Sequence, residues 1–544
     1  MRFFPVWAIA WLVAVGAAVI IRPPLPVDET RYLAVAWEMW FRGDYLVPYL
    51  NGAPYHHKPP LLFWLMQAGW AVFGVNDWWP RLVAPLFALG ALVLTGCLAK
   101  RLWPENIATA RMAPTILVGA AFWSIFQTLT MFDMMLTTCA LLAILGLVDA
   151  SRSDSWRPWV YVALGIGIGV LAKGPAILLH ILPVALSAPW WRQGLAQTTP
   201  TPPLSWKAWY GRLLLAVLAG AAIALCWAIP AGIRGGEEYR NMIFWGQSAG
   251  RIVESFDHAR PFYWYALLLP PLLLPWLIWP RLWRDALARA LPIDGAVRLL
   301  CAWIIPAFIV FSMISGKQLH YLLPEFPAFA LLIARLSARD AALAGHKLDG
   351  VPAAVLFAVL GAAMLALPIV GDHIRAPDWF EHLHPYWGAL MLAAAAIVFV
   401  FARRSAFAAG ATMSLSMVFL VATVHLVADK ALTVAYDLRP IAKALNTYED
   451  QGYALANAGT YHGQYQFLGR LKTPLTETGL DQADTDAFVA AHPDGVLVTY
   501  YDLERLPDFP ADAEPLGEFR FRDYKVVLWR AGLLLKYPTL ADRT

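Results

Sequence analysis

Charge is scarce in this chain: Asp, Glu, Lys and Arg make up 15% of its 544 residues and apolar residues 59%, against roughly 25% charged in an average soluble domain. That deficit excludes an ordinary soluble protein. The apolar residues also fall in runs of about 17 to 22, broken by short stretches rich in Pro, Arg, Asp and Trp, which is the spacing a bilayer imposes. Cysteine is nearly absent. The four present, Cys97, Cys139, Cys226 and Cys301, each lie inside an apolar run, which excludes a disulfide framework and a zinc ribbon. A net charge of +4 with Lys and Arg scattered among loops makes no concentrated basic face, so nucleic acid is discarded as a partner. There is no P-loop and no glycine fingerprint after a strand. Gly165, Gly167 and Gly169 sit in an apolar run, where small residues serve helix packing. The first apolar run, Val6 to Ile21, follows Met1 and Arg2 without a small-residue cleavage site before Arg22-Pro23-Pro24 and reads as a retained span.

The pattern predicts a polytopic α-helical membrane protein with about thirteen spans. Their limits fall near 5–21, 81–99, 112–130, 134–150, 158–172, 175–190, 212–230, 263–280, 298–314, 322–336, 352–370, 386–402 and 406–428. Alternate short loops carry the Lys and Arg, among them Lys100 and Arg101, Arg152 and Arg157, and Arg403 and Arg404, which makes those loops cytoplasmic. The external set is then 22–80, the turns at Asp133 and Lys173, 231–262, 315–321, 371–385 and everything after about 429. Within loop 22–80, the aromatic-rich stretches Arg31 to Phe41 and Pro60 to Phe73 look like helices lying in the membrane interface. After Asp429 the composition becomes that of soluble protein. Polar helical stretches at Ile441 to Glu449 and Asp484 to Ala491 alternate with strand-like runs at Tyr453 to Asn457, Gly495 to Tyr500 and Lys525 to Trp529. The expected division is a membrane domain over 1–428 and an external α/β domain over 429–544.

Ionisable residues beside spans are costly, and here they gather on the external side. Asp28 and Glu29 follow the first span, with Arg31 and Tyr55 further along the same loop. Asp28 suits either chemistry or an N-cap, and Glu29 suits the first-turn dipole. In Tyr55-His56-His57-Lys58-Pro59-Pro60, Lys58 either presents an ammonium to a lipid phosphate or snorkels. Adjacent histidines do not form the i, i+4 pair of a helical zinc site. Asp133 stands between two apolar runs with hardly any loop, and Lys173-Gly174-Pro175 holds the corresponding place between the fifth and sixth spans. Lys317, His320 and Tyr321 enter a late span, where Tyr321 fits substrate binding or the aromatic belt. Arg251, His258, Arg260 and Tyr263 precede the eighth span and suit anionic groups without specifying one. The cytoplasmic loops are too short for a nucleotide-sugar domain, so an activated substrate has to come from the external side, and a lipid-linked donor fits.

The order of these elements resembles the aminoarabinose transferases of lipid A: an Asp-Glu pair at 28–29, Lys58-Pro59-Pro60, Asp133, Lys173-Gly174, and Gly316-Lys317-x-x-x-Tyr321-x-x-Pro324. Those transferases belong with the protein O-mannosyltransferases in the GT-C class. The resemblance covers the whole chain. It implies a GT-C-type membrane domain with a C-terminal periplasmic α/β domain, in the bacterial inner membrane, with the site facing the periplasm. It also implies transfer of one sugar from a polyprenyl-phosphate donor to a lipid or glycan acceptor such as lipid A, with membrane lipids around it. In that family the acid matching Asp28 works at the reaction centre beside Arg31 and Tyr55, and Asp133 matches a second acid. Lys58, Tyr321 and a loop arginine, Arg251 or Arg260, would hold the donor phosphate. Glu29, His57, Lys173, Lys317 and His320 complete the expected substrate-binding set. One departure sets His57-Lys58-Pro59 where those transferases carry Glu-Lys-Pro, which bears on both the aminoarabinose and a divalent metal. A metal stays open, with His57 and His258 its candidate ligands. The rival readings are a flippase of lipid-linked sugars, which predicts internal repeats and two-sided polar groups, a non-catalytic membrane assembly subunit whose external domain binds a partner, which predicts dispensable external charges, and a protein O-glycosyltransferase.

Overall fold

A computed structural model describes residues 5–195, 204–245, 259–288, 293–338, 345–370, 384–478 and 482–541. It divides into two compact units. One comprises Met1–Ile20, His57–Leu62 and Asp77–Val427, and the other Ile21–His56, Phe63–Asn76 and Ala428–Thr544.

The membrane unit is helical. Among the described residues, seven helices are long and apolar enough to cross a bilayer: Trp78–Leu102 (α4), Asp133–Ala150 (α7), Trp206–Arg234, Gly295–Met313, Leu319–Ser337, Val351–Pro368 and Ala406–Val427. Shorter apolar helices include Val6–Ile21 (α1), Ile107–Val118 (α5), Ile177–Leu186 (α9) and Pro385–Phe401. The chain is therefore a multi-pass membrane protein, although a count of thirteen full spans is not shown. The shortfall has local causes. The expected span 112–130 breaks at Gly119 and Ala120 into α5 and Ala121–Phe126 (α6). The span expected at 263–280 stops at Leu272 behind Pro270 and Pro271, because proline cannot continue the helical hydrogen bonding. α7 is the most enclosed of the long helices; it packs on α4 and on Arg157–Lys173 (α8). The three glycines of α8 let three neighbours approach. A methyl group at Gly165 would come within 2.6 Å of the Cys139 carbonyl, one at Gly167 within 2.8 Å of Ile223, and one at Gly169 within 2.6 Å of Ile177.

The second unit joins the first long loop to the C-terminal segment. Five strands, Leu455–Ala458 (β3), Thr476–Thr478 (β4), Val496–Asp502 (β5), Gly517–Phe521 (β6) and Tyr524–Arg530 (β7), form a mixed sheet in the order β4-β3-β5-β7-β6. The pairs β3/β4 and β3/β5 are parallel, while β5/β7 and β6/β7 are antiparallel. Residues alternate across the pleat as strand geometry requires. Val496 and Val498 enter one core with Ile441 and Leu445, whereas Leu497 and Tyr501 enter another with Phe488 and Trp529. The small hairpin of Tyr49–Leu50 (β1) and Ala53–Pro54 (β2) precedes Leu61–Phe73 (α3).

Helix Asp28–Arg42 (α2) is held against this domain. Leu33, Ala34, Val35, Ala36 and Met39 are fully buried. The Trp37 indole donates to the Leu471 carbonyl at 2.8 Å, and Asn51 exchanges two hydrogen bonds with the backbone of Leu475. Trp70 stacks on Phe467 with centroids 5.2 Å apart. These aromatic and apolar residues satisfy a protein core as readily as a lipid boundary, so composition alone does not distinguish the two.

Candidate functional site

Within the membrane unit the structure gathers five of the expected residues. Asp133 opens α7 and is ion-paired to Lys173, which closes α8 ahead of Gly174 at φ +79°. Both are largely withdrawn from solvent, their side chains 2% and 11% exposed. The Lys173 ammonium also lies 5.0 Å from the centre of the Tyr321 ring, a cation–π distance. Tyr321 and His320 sit edge to face at 5.1 Å, and His320 is 5.9 Å from Phe126. The Lys58 ammonium lies 5.9 Å from the ring of Phe132, the residue before Asp133. Lys173, His320 and Lys58 all act electrostatically on the Asp133 carboxylate. One carboxylate thus faces two ammonium groups and an imidazole, and the surplus of positive charge suits a phosphate.

Other expected residues fall elsewhere. Lys317 is 3% exposed, and its ammonium donates to the carbonyls of Arg260 at 2.8 Å and Ile314 at 2.5 Å. The Arg260 N–H donates to the Ser315 carbonyl. Lys317 therefore clasps two loops together and is not presented to a substrate, while Arg260 takes part in the clasp through its backbone. Arg251 and His258 lie outside the described residues. Among the described residues, no three His, Cys, Asp or Glu are grouped so as to hold a metal ion, and His57 is exposed.

The second unit holds the other cluster. Asp28 is the first residue of α2, but the cap position belongs to Val27 and no side chain caps the helix, so the capping role expected for Asp28 is not taken up. Its carboxylate, 49% exposed, is instead paired with Arg31 and accepts from the Tyr32 hydroxyl at 3.3 Å. Burial works against the Arg31 charge, but the surrounding Tyr55, Asp28 and Tyr32 outweigh it and hold the guanidinium above its ordinary range. Tyr55 is buried with its ring on Phe63. Glu29 is a correction to the expected substrate set. It is 2% exposed, accepts from both terminal nitrogens of Arg22, and takes the Leu25 N–H at 2.7 Å. It locks the entry to α2, directly beside Asp28, and does not face a ligand.

Arg22 carried no signal in the sequence beyond its place after an apolar run. His180 and Glu325 were hidden as well: a pair 2.5 Å apart, each 1% exposed by side chain, linking α9 to the turn that carries Tyr321. The His180 ring lies 5.5 Å from Phe311, which lies 5.7 Å from Tyr321. A charged residue within an apolar span is the signal that points to such pairs.

The chain is similar to known proteins in sequence and in fold. Residues 57–227 match the sequence model of the family described as dolichyl-phosphate-mannose-protein mannosyltransferase. A relative from Erwinia tasmaniensis, an undecaprenyl phosphate-alpha-4-amino-4-deoxy-L-arabinose arabinosyl transferase, is 27% identical over 391 residues, 68% of this chain and 66% of the relative. A transferase of the same name from Pseudomonas aeruginosa is 29% identical over 316 residues, 56% of this chain and 54% of the relative. The matches thus span between about half and two thirds of these relatives. The crystal structure of ArnT from Cupriavidus metallidurans bound to undecaprenyl phosphate superposes with a TM-score of 0.74 over 96% of both chains at 20% identity; its apo state gives 0.73. Together, these likenesses make the chain similar in sequence to aminoarabinose transferases and give it the polytopic helical fold of ArnT.

Proposed function

We propose that the chain is a membrane glycosyltransferase that moves one sugar from a polyprenyl-phosphate donor to an envelope acceptor such as lipid A. The observation that carries this reading is the cationic surplus around Asp133: Lys58, Lys173, His320 and Tyr321 collected in the membrane unit. When the bond between the anomeric carbon and the phosphate oxygen breaks, negative charge grows on a polyprenyl phosphate. Preorganised cations and a phenolic donor stabilise that charge. Asp133 acts through Lys173 as a buried counter-ion and so positions the ammonium. Asp28 serves the acceptor. It takes the proton of an attacking hydroxyl, or orients groups through Arg31 where the acceptor is an already ionised phosphate. Attack opposite the leaving phosphate inverts the anomeric centre. The names of the curated relatives support the donor class, and the mannosyltransferase family match gives a second reading, transfer to a protein hydroxyl.

The membrane is the bacterial inner membrane and the site faces the periplasm, by the alternation of basic short loops. A reporter fused after Asp429 is expected to work only as an external reporter; strong activity as a cytoplasmic one would overturn this orientation. For the chemistry, the purified full chain is supplied with undecaprenyl-phosphate-linked aminoarabinose or other sugars. Lipid A and a Ser/Thr-containing peptide serve as alternative acceptors, and products are read by mass spectrometry. A sugar-sized mass gain on lipid A is expected. A gain on the peptide alone would select the second reading, and no gain on either would defeat the transferase assignment.

A further inference from the structure

The loop leaving β3 is fastened more heavily than a connection between short strands requires. The Tyr500 hydroxyl on β5 donates to Asn457 Oδ1 on β3 at 2.7 Å, meets the Tyr465 hydroxyl at 2.7 Å, and accepts from Gln464 Nε2 at 3.2 Å. Gln464 Oε1 in turn accepts the backbone N–H of His462 at 3.0 Å, and Asn457 Nδ2 donates to the Gly459 carbonyl at 3.0 Å. A buried polar set satisfied in this way is rigid. Gly459 and Gly463, at φ +86° and +74°, turn the loop toward α2. A methyl group at Gly463 would come within 2.5 Å of Leu50 Cδ1 and 3.0 Å of Ala34 Cβ. Ala34 is one helical turn beyond Arg31, so the loop holds His462 against the helix that carries Asp28 and Arg31.

We propose that His462 is a third side chain of the Asp28–Arg31 centre, an imidazole that accepts a hydrogen bond from an O–H of the sugar acceptor other than the one whose proton Asp28 takes. The ligand chemistry is an O–H, whether of a hydroxyl or of a singly ionised phosphate. The proposal rests on the transferase reading above. The imidazole is half-buried, and the charged groups around it are Arg31 and Asp28 from α2 and Glu477 from β4. Burial and Arg31 lower its pKa from the usual 6.5, against the smaller opposing effects of Glu477 and Asp28. The neutral form, with a free lone pair, therefore prevails around neutral pH.

The test uses the purified full chain with an undecaprenyl-phosphate sugar and two acceptor probes: diphosphorylated lipid A and fully dephosphorylated lipid A, which separate phosphate from hydroxyl. His462→Ala is expected to raise the KM of the acceptor used about tenfold, the scale of one hydrogen bond, with donor KM unchanged. His462→Gln, which keeps an acceptor oxygen but does not titrate, is expected to stay within about threefold of the parent and to lose the rise in acceptor KM at low pH. Equal rises in donor and acceptor KM in both variants, or parental behaviour in His462→Ala, would overturn the proposal. A second measurement needs no turnover: carbethoxylation of His462 against pH, followed by peptide mass spectrometry. The midpoint should lie below 6.5, move up in Arg31→Gln and move down further in Asp28→Asn. A midpoint that neither substitution moves would overturn the placement. If no transfer occurs in the parent while both shifts are seen, it is the transferase reading that fails.

Discussion

Asp133 and Asp28 each begin a helix and each pair with a basic residue, yet one carboxylate is 2% exposed and the other 49%. Asp133 sits among apolar spans, where an unanswered charge is very costly, and its partner Lys173 is withdrawn with it. Asp28 opens to solvent on one side and accepts from both Arg31 and Tyr32 on its Oδ1. Buried and answered charge is fixed in place, whereas a half-open carboxylate can receive a proton or a ligand. Sequence position makes the two acids look alike; the difference in enclosure supports the proposal that one positions and the other takes part in the chemistry.

The largest expected effect is on stability, and it tests whether Asp133 is a counter-ion. Removing one member of a buried ion pair leaves the other uncompensated and costs about 3 to 5 kcal/mol. Asp133→Ala and Lys173→Met should each lower the thermal midpoint of the detergent-solubilised protein by several degrees. The double variant Asp133→Asn, Lys173→Gln should recover part of that loss. A stable but inactive Asp133→Asn would erase the distinction and make Asp133 a second reaction-centre acid.

Asp28 should behave in the opposite way. It supplies no cap bond to α2, so Asp28→Asn should melt like the parent while losing about two decades or more of transfer rate, the usual scale for a general base. Purified enzyme is needed, since a cell could mask a smaller loss. Near-parental turnover would remove Asp28 from the chemistry.

Much of this could be read from the chain itself. Apolar run lengths gave the membrane class, and strand-like runs at Tyr453, Gly495 and Lys525 coincide with β3, β5 and β7. Lys58, Asp133, Lys173, His320 and Tyr321 stood out because charge and aromatic residues cluster at span ends. Besides Arg22 and the His180–Glu325 pair, three residues are not legible in their roles. Glu29 looked like a ligand residue, because the bond that buries it comes from Arg22, and a pairing partner is invisible in a sequence. Lys317 looked like a free cation, because the carbonyls that hold it belong to loops that only folding brings together. His462 gives no signal because it lies in a soluble-looking segment, more than 400 positions beyond α2, and only the tertiary fold brings that loop to Ala34.

The smallest expected effects concern Lys58 and Tyr321, and they refine the view of the Asp133 cluster as a phosphate site. Tyr321→Phe keeps the ring that stacks near His320 and Phe311 and that receives the Lys173 ammonium, so it removes the hydroxyl alone. Lys58→Ala removes an ammonium while leaving both members of the Asp133–Lys173 pair in place. Each loss of one charge-assisted phosphate contact should cost about 1.5 to 3 kcal/mol, or one to two decades in kcat/KM for the donor. Because the contact strengthens as the phosphate departs, kcat should fall more than KM rises. Thermal midpoints should stay near the parent, in contrast with the Asp133 variants. Parental kinetics in both would leave Lys58 as a snorkelling residue and Tyr321 as an interfacial aromatic, and the Asp133 cluster would then lose its surplus ammonium as a phosphate site.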